Sequence, residues 1–212
     1  MRLSATMLES FRLWLDPEQE WMSEAQLLAT IRGEFHPTRE IDIGQAFGRV
    51  LEAPDRYRVD GGYHHPRLDV FLSDETMQPA LDLIDRPHTV FEAKGVGRYG
   101  PHDVVVKADQ LVGAHLIETK TTFSTFSFEK YADSCQWRFM ADILQPTYVT
   151  YQVFVLKEDK NGSITLKSVE AFNLFPYDGL HRDCEALVVR FEGFARARDL
   201  VALLDRRQAE AA

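Results

Sequence analysis

What the chain lacks narrows it first. Its 212 residues include only two cysteines. Cys135 and Cys184 stand far apart and in no C-x-x-C or His/Cys spacing, which excludes a disulfide framework and a thiolate-bound zinc or iron–sulfur site. Buried thiols in a reducing cell interior are what this usage implies. No apolar run reaches the length of a membrane span, and the N-terminal stretch MRLSATMLESFRLWLDPEQE is amphipathic and acidic, not a basic segment followed by an apolar one. The expectation is a cytoplasmic protein with no membrane attachment. Positive charge is also short: 24 Lys and Arg against 33 Asp and Glu leave a net charge of -9, a field that on average repels a polyanion. Nucleic acid is then a partner only through a local basic groove or through carboxylates neutralised by a divalent ion. Internal repeats and low-complexity tracts are missing too, apart from the short RRQAEAA tail.

What is present suits a single globular domain spanning 1–212, with 45% hydrophobic and 27% charged residues. Trp21, Ala25, Leu28 and Ile31 fall at helical spacing and predict a helix over 17–34 with Asp16 as its N-cap, so that residues 1–35 read as helical. Ile43, Ala46, Phe47, Val50 and Leu51 trace the apolar stripe of a second helix, which Pro54 stops. The polar, turn-rich segment DRYRVDGGYHHPRLDVFLSD reads as a mobile loop, and a short helix follows over 75–84. TVFEAKGV, DVVVKADQLVG and HLIETKTTF alternate and predict three consecutive strands. Residues 128–144 have helical spacing. YVTYQVFVLKED and SITLKSVEAFNLF read as a hairpin turning at Lys160-Asn161-Gly162, and a helix over about 182–206 closes the chain. The sum is an α/β or α+β core, over about 43–175, with helices packed on a mostly antiparallel central sheet.

One stretch does not fit a simple buried sheet. DVVVKADQLVGAHLIETKTT carries Asp109, Glu118 and Lys120 within strands that are otherwise apolar. Side chains alternate faces along a strand, so Glu118 and Lys120 share a side, and Asp109 shares the parity of Val105 and Lys107. Pairing of the two strands through Val112-Gly113 brings Asp109 and Glu118 together at one end of the sheet. Two close carboxylates repel and have raised pKa values unless a cation sits between them. Mg²⁺ suits that place, because it takes oxygen ligands, keeps most of its waters and uses one or two carboxylates with substrate phosphate oxygens. Lys120 beside it would stabilise charge on a phosphate or lower the pKa of a bound water.

KADQLVGAHLIETKTT followed by EKYADSCQWRFMADIL resembles the core of the PD-(D/E)XK nuclease superfamily, and is most similar to its phage-type, RecB-like exonuclease branch. There a strand Asp, a Glu-x-Lys strand, a Thr-rich exit and a helix bearing Gln follow in that order. IGQAFGRVLE resembles the preceding helix with its additional acid, and the resemblance spans residues 43–144. It implies a restriction-endonuclease-like core, a central mixed β-sheet flanked by helices. It also implies Asp109 and Glu118 as metal ligands with the Thr119 carbonyl and Glu52, Lys120 as catalytic cation, and Gln136 as the glutamine bordering the active site. Mg²⁺, with Mn²⁺ as substitute, is the implied cofactor and DNA the implied substrate, in phage-type recombination or repair. Relatives include ring-forming oligomers, and a homo-oligomer and a single-strand annealing partner protein belong to the same expectation. The sequence departs from the pattern at Gly48, where many relatives place a metal-binding His, and at Met140, where relatives often carry Tyr.

Further residues are candidates by type. Arg39, at the start of the second helix, would hold a terminal phosphate with the backbone N–H groups there. Tyr131, Ser134 and Arg138 read as ordinary helix residues or, as the alternative, as contacts to a phosphate. Tyr63, His64 and His65 read either as metal ligands or as parts of a turn-rich loop, and Phe123, Phe126 and Phe128 either as core or as base-stacking platforms. An endonuclease on the same core and a binding domain that has lost catalysis are the rival readings. The intact Asp109, Glu118 and Lys120 disfavour the second, and two cysteines exclude the four-cysteine cluster of the CRISPR-adaptation relatives.

Overall fold

The computed structural model describes residues 1–16, 18, 22–34 and 37–210, with side chains through residue 205. Along the chain run β1 (Arg2–Ser4), α1 (Ala5–Leu15), α2 (Glu24–Arg32), α3 (Arg39–Glu52), α4 (Pro54–Tyr57), β2 (Arg58–Val59), β3 (Gly62–His65), β4 (Val70–Ser73) and α5 (Asp74–Leu81). After them come β5 (Thr89–Tyr99), β6 (His102–Val112), β7 (His115–Thr122), α6 (Phe128–Ala132), α7 (Cys135–Leu144), β8 (Tyr148–Glu158), β9 (Ile164–Leu174), α8 (Leu180–Ala197) and α9 (Val201–Glu210).

The expected central mixed sheet flanked by helices is the architecture observed. Its order is β1-β6-β7-β8-β9, with β5 on β6. The β5–β6–β7 meander is antiparallel, while β1 on β6 and β8 on β7 are parallel. β8 feeds both faces of the sheet, with Val149, Tyr151 and Val153 on one and Phe154 and Leu156 on the other, whereas the buried apolar residues of β6, Val104, Val106 and Ala108, serve the first alone. One face carries a core built with α1, α2, α7 and α8, holding Leu8, Phe11, Leu27, Phe139 and Phe191. On the opposite face, Ile43, Phe47 and Val50 of α3 pack with Met77, Phe154 and Leu156. The second core contains no residue of β5 or β6, where Val90, Val96 and Lys107 are exposed.

Local chemistry explains most element boundaries, and several differ from expectation. Asp16 ends α1 instead of capping a helix, and Ser23 caps α2 through a capping box with Gln26. The helical spacing expected from Pro17 and Trp21 lies outside the described residues. The chain opens with a strand, β1, which the helical reading of 1–35 missed. Residues 128–144 form two helices, because Ser134 leaves helical geometry and its hydroxyl accepts the Gln136 N–H to start α7 afresh. The closing helix is likewise two: Asp199 adopts φ 54 and Leu200 N–H donates to Ala195 O at 2.9 Å, turning α9 back onto β1. The segment taken for a mobile loop folds as the antiparallel sheet β2-β3-β4. There Val59 pairs with Gly62 around Asp60 and Gly61, and Tyr63, Val70 and Leu72 are buried. An Asp-Gly between strand residues is a hairpin signal in its own right. The β8–β9 hairpin turns at Lys160-Asn161-Gly162 as expected, with the Asp159 carboxylate accepting from Asn161 and Ser163 N–H at 2.8 and 2.9 Å.

Helix α7 lies unusually close to the sheet because β5 offers glycines beneath it. A Cβ at Gly97 would meet Ile143 Cγ1 at 2.6 Å, and one at Gly95 would meet Leu144 Cδ2 at 2.7 Å. Gly97→Val is expected to destabilise the protein by about 1–3 kcal/mol through overpacking, read by denaturant titration.

Candidate active site

The sheet opens between β6 and β7. They pair over only three residues each, 110–112 with 115–117, and β1 occupies the same edge of β6 at 103–105. Residues 106–109 are left without a strand neighbour on that side. Beyond the last ladder pair the Thr119 N–H needs another acceptor, since an unsatisfied buried N–H costs about 1–3 kcal/mol. Asp109 Oδ2 supplies it at 2.9 Å. The splay thus both creates a cleft and puts a carboxylate at its apex.

Glu118 and Lys120 project from β7 on one side, as alternation requires. Lys120 Nζ donates to Glu118 Oε1 at 2.6 Å and to Gln136 Oε1 at 3.2 Å. Gln136 sits in the first turn of α7, and its Nε2 donates to Thr6 Oγ1 of α1 at 3.3 Å. Four groups from β7, α7 and α1 therefore form one hydrogen-bonded chain along the cleft wall. The opposite wall is α3, whose Ile41, Gly44, Gln45, Gly48 and Glu52 line a cleft of about 1000 Å³. A Cβ at Gly48 would meet nothing within 4 Å, so the position where relatives were expected to place His opens the cleft. Arg86 ends α3, donating to Leu51 O at 2.6 Å and Glu52 O at 3.2 Å, and so holds Glu52 at the cleft.

Asp109 feels burial first and the Glu118 charge second, which push its pKa up to about 7. Lys120 is held in its charged form: burial opposes the ammonium, and Glu118, followed by Tyr151 and Asp109, outweighs it. Glu118 is 6% exposed, and its Oε2 is buried with no protein hydrogen-bond partner. A buried carboxylate oxygen without a protein partner, beside a second carboxylate, is a ready ligand for a hard cation. Two carboxylates, Asp109 and Glu118, are the donor chemistry that a hard, well-hydrated cation takes. Among the described residues no three His, Cys, Asp or Glu side chains gather as a metal cluster. Glu52 lines the cleft, but its carboxylate is engaged by Arg49 at 2.9 Å.

Four candidate substrate contacts point elsewhere. Arg39 lies on the side of α3 facing β4 and the end of β8, paired with Glu158 at 3.3 Å and donating to Asp69 O at 3.2 Å. Tyr131 is buried among the rings of Phe126, Tyr151 and Phe172. Ser134 is buried as the α7 cap. Arg138 lies over the Trp137 ring and lines a separate small pocket with Arg12 and Cys184. Tyr63 belongs to the core, His64 approaches Asp69 at 3.3 Å, and His65 stacks on Tyr57. Phe123 lines the cleft and Phe126 packs on the core, whereas Phe128 is 45% exposed against Phe172. Met140, in the position of the expected Tyr, is buried on the cleft wall.

Sequence reasoning missed Thr6, Arg49, Glu92 and Lys107, all of which line the cleft. Thr6 had no local signal, because it arrives through the parallel β1–β6 pairing. Arg49 had one: it precedes Glu52 by three residues, a helix-neighbour spacing. Lys107 shares the strand parity of Asp109.

The sequence matches no known protein family and no curated protein. Solved structures do match the fold. A putative exonuclease from Eubacterium rectale superposes with a TM-score of 0.55 at 8% identity, over 93% of this chain and 81% of its own. An alkaline exonuclease from Laribacter hongkongensis gives a TM-score of 0.51 at 13% identity, over 100% of this chain and 95% of its own. The chain thus shares the fold of these two exonuclease structures along almost its whole length. Among the described residues no helix is long and apolar enough to cross a membrane.

Because the folded Asp109 pKa stands near 7 against 3.8 for the free side chain, folded chains retain a proton that unfolded chains release between those values. Metal-free stability should therefore fall as pH rises from about 4 to about 7. Asp109→Asn removes that loss. It is expected to exceed wild type by about 1–3 kcal/mol at pH 8 and to differ little at pH 4, measured by urea unfolding in chelator.

Proposed function

We propose that this chain is a divalent-metal-dependent DNA nuclease of the exonuclease type, hydrolysing phosphodiester bonds in phage-type recombination or DNA repair. The observation that carries the reading is the Asp109, Glu118, Lys120 and Gln136 constellation at the apex of an open cleft, with Glu118 Oε2 left without a protein partner. The fold shared with two exonuclease structures supports it.

The division of labour follows from the geometry. Asp109 and Glu118, with the Thr119 carbonyl, would hold Mg²⁺ or Mn²⁺, and Glu52, which lines the same cleft, would join them only by a movement that frees it from Arg49. Such an ion supplies Lewis-acid stabilisation of the charge that builds on the phosphoryl oxygens and the departing oxygen. Lys120, charged beside Glu118 despite its burial, would act as a fixed cation next to the reacting phosphate. Gln136 accepts from Lys120 through its amide oxygen and donates to Thr6 through its nitrogen. That arrangement fixes the direction of the Lys120 ammonium. Cleft charge explains why an ion is needed before a polyanion can enter. Glu40, Glu52, Glu92, Asp109 and Glu118 face Arg49, Lys107, Lys120 and Lys130, so the lining is acid-rich until a divalent cation reverses the balance.

Lys120→Ala is expected to keep DNA binding in Ca²⁺ while losing about 10²–10³-fold in Mg²⁺- or Mn²⁺-supported cleavage of linear duplex. Wild-type protein that binds DNA yet cleaves neither open-ended nor end-blocked duplex with either metal would overturn the enzyme reading in favour of a binding module. Cleavage of end-blocked duplex as fast as open-ended duplex would mark an endonuclease. Thr6→Val, which removes the Gln136 anchor, is expected to lower kcat about 3–10-fold with KM little altered, and Thr6→Ser to restore it.

A further inference from the structure

Three charged side chains in the cleft, Arg49, Glu92 and Lys107, touch none of the reacting groups named above, although Arg49 Nη1 also donates to Glu52 Oε2 at 2.9 Å. Arg49 Nη1, from α3, and Lys107 Nζ, from β6, converge on a single oxygen, Glu92 Oε1, at 2.9 and 2.7 Å. Two cations brought from separate elements onto one oxygen make an anion-binding site, and here the anion is the protein's own carboxylate. Its place is specific. The β5–β6 ladder pairs Phe91 with Gln110 and Ala93 with Ala108, and skips Glu92, which lies opposite Asp109. Glu92 also has φ 53, one of four non-glycine residues with positive φ among those described. Left-handed backbone at such a residue costs on the order of 1–3 kcal/mol, a cost that an ordinary surface ion pair does not require.

We propose that Glu92 is an internal stand-in for a nucleic-acid phosphate, and that Arg49 and Lys107 form a subsite for a non-scissile phosphodiester next to the reacting one. The proposal rests on the nuclease reading and deepens it by assigning a second phosphate contact. The exchange is easy energetically. Arg49, Lys107 and Glu92 side chains are 49%, 44% and 29% exposed, and ion pairs at such exposure are weak because solvent screens them. An incoming phosphate offers several acceptor oxygens where Glu92 engages both cations through one, and guanidinium pairs with phosphate in a bidentate manner. Until it arrives, Glu92 keeps two cations folded into the cleft instead of leaving them free for other anions.

The test is binding of a fluorescent single-stranded oligonucleotide in Ca²⁺, by anisotropy across a salt series, for wild type, Glu92→Gln, Arg49→Gln and Lys107→Gln, each checked for an unaltered melting profile. Arg49→Gln and Lys107→Gln are each expected to weaken binding about 3–10-fold and to flatten the log–log salt slope by about 0.7, the value for one phosphate contact on a single strand. Glu92→Gln is expected to tighten binding about 2–5-fold. Unchanged affinity and slope in both cation variants, or weaker binding by Glu92→Gln, overturns the subsite. Cleavage by wild type in Mg²⁺ is scored on the open-ended linear duplex used above. Cleavage with unaltered slopes sinks the subsite alone, altered slopes without any cleavage sink the nuclease reading alone, and neither binding nor cleavage sinks both.

Discussion

The hydrogen bond from Thr119 N–H to Asp109 Oδ2 is the constraint around which the rest of the site is arranged. Where β6 and β7 part, the break in the ladder admits charged groups between the strands and leaves main-chain donors that must be paired. Here one side chain does both tasks. Asp109 closes the hydrogen-bond account of the splayed strand and stands at the mouth of the opening that the splay creates. Once β7 leaves β6 at that point, strand alternation places Glu118 and Lys120 in the same opening, and the parallel ladder with β8 locks their height.

Electrostatics then separates roles among groups that look alike. Asp109 and Glu118 are both carboxylates in one cleft, yet Glu118 has an ammonium at 2.6 Å and Asp109 has a main-chain N–H. The first stays paired, while burial and its neighbour drive the second toward the neutral form. An arrangement of this kind is weak evidence for stability, because desolvating a charge pair offsets much of its attraction. The two apolar cores on either side of the sheet bear that cost, and the glycines under α7 let one of them bring Gln136 within reach of Lys120. The same cleft holds a second charge balance at Arg49, Glu52, Glu92 and Lys107, so its acidic and basic groups are mutually compensated.

Much of this was legible in the residue order. β5, β6, β7, β8, β9 and α3 were visible because their apolar periodicities are strong and local, and the convergence of Asp109 and Glu118 follows from one turn and strand parity. Misreadings cluster where a short polar cue competed with a longer pattern. Ser134 interrupts a continuous helical spacing, Asp199 does the same before α9, and the Asp60-Gly61 turn was lost within a run of polar residues. The substrate roles expected of Arg39, Tyr131 and Ser134 came from residue type without placement. In the fold, those three side chains serve a tertiary ion pair, an aromatic cluster and a helix cap.

The sequence by itself determined the alternating strands, the apolar stripe of α3 and the Asp109, Glu118 and Lys120 pattern, since each depends on spacing within one or two adjacent elements. Only the tertiary structure decided that β1 joins β6 in parallel, that Thr6 meets Gln136 across 130 residues, and that Arg49 and Lys107 share an oxygen of Glu92. Contacts between distant segments depend on how whole elements pack, and backbone and side-chain entropy must be overcome by the summed burial of both cores before any such contact can exist. No local pattern records that sum.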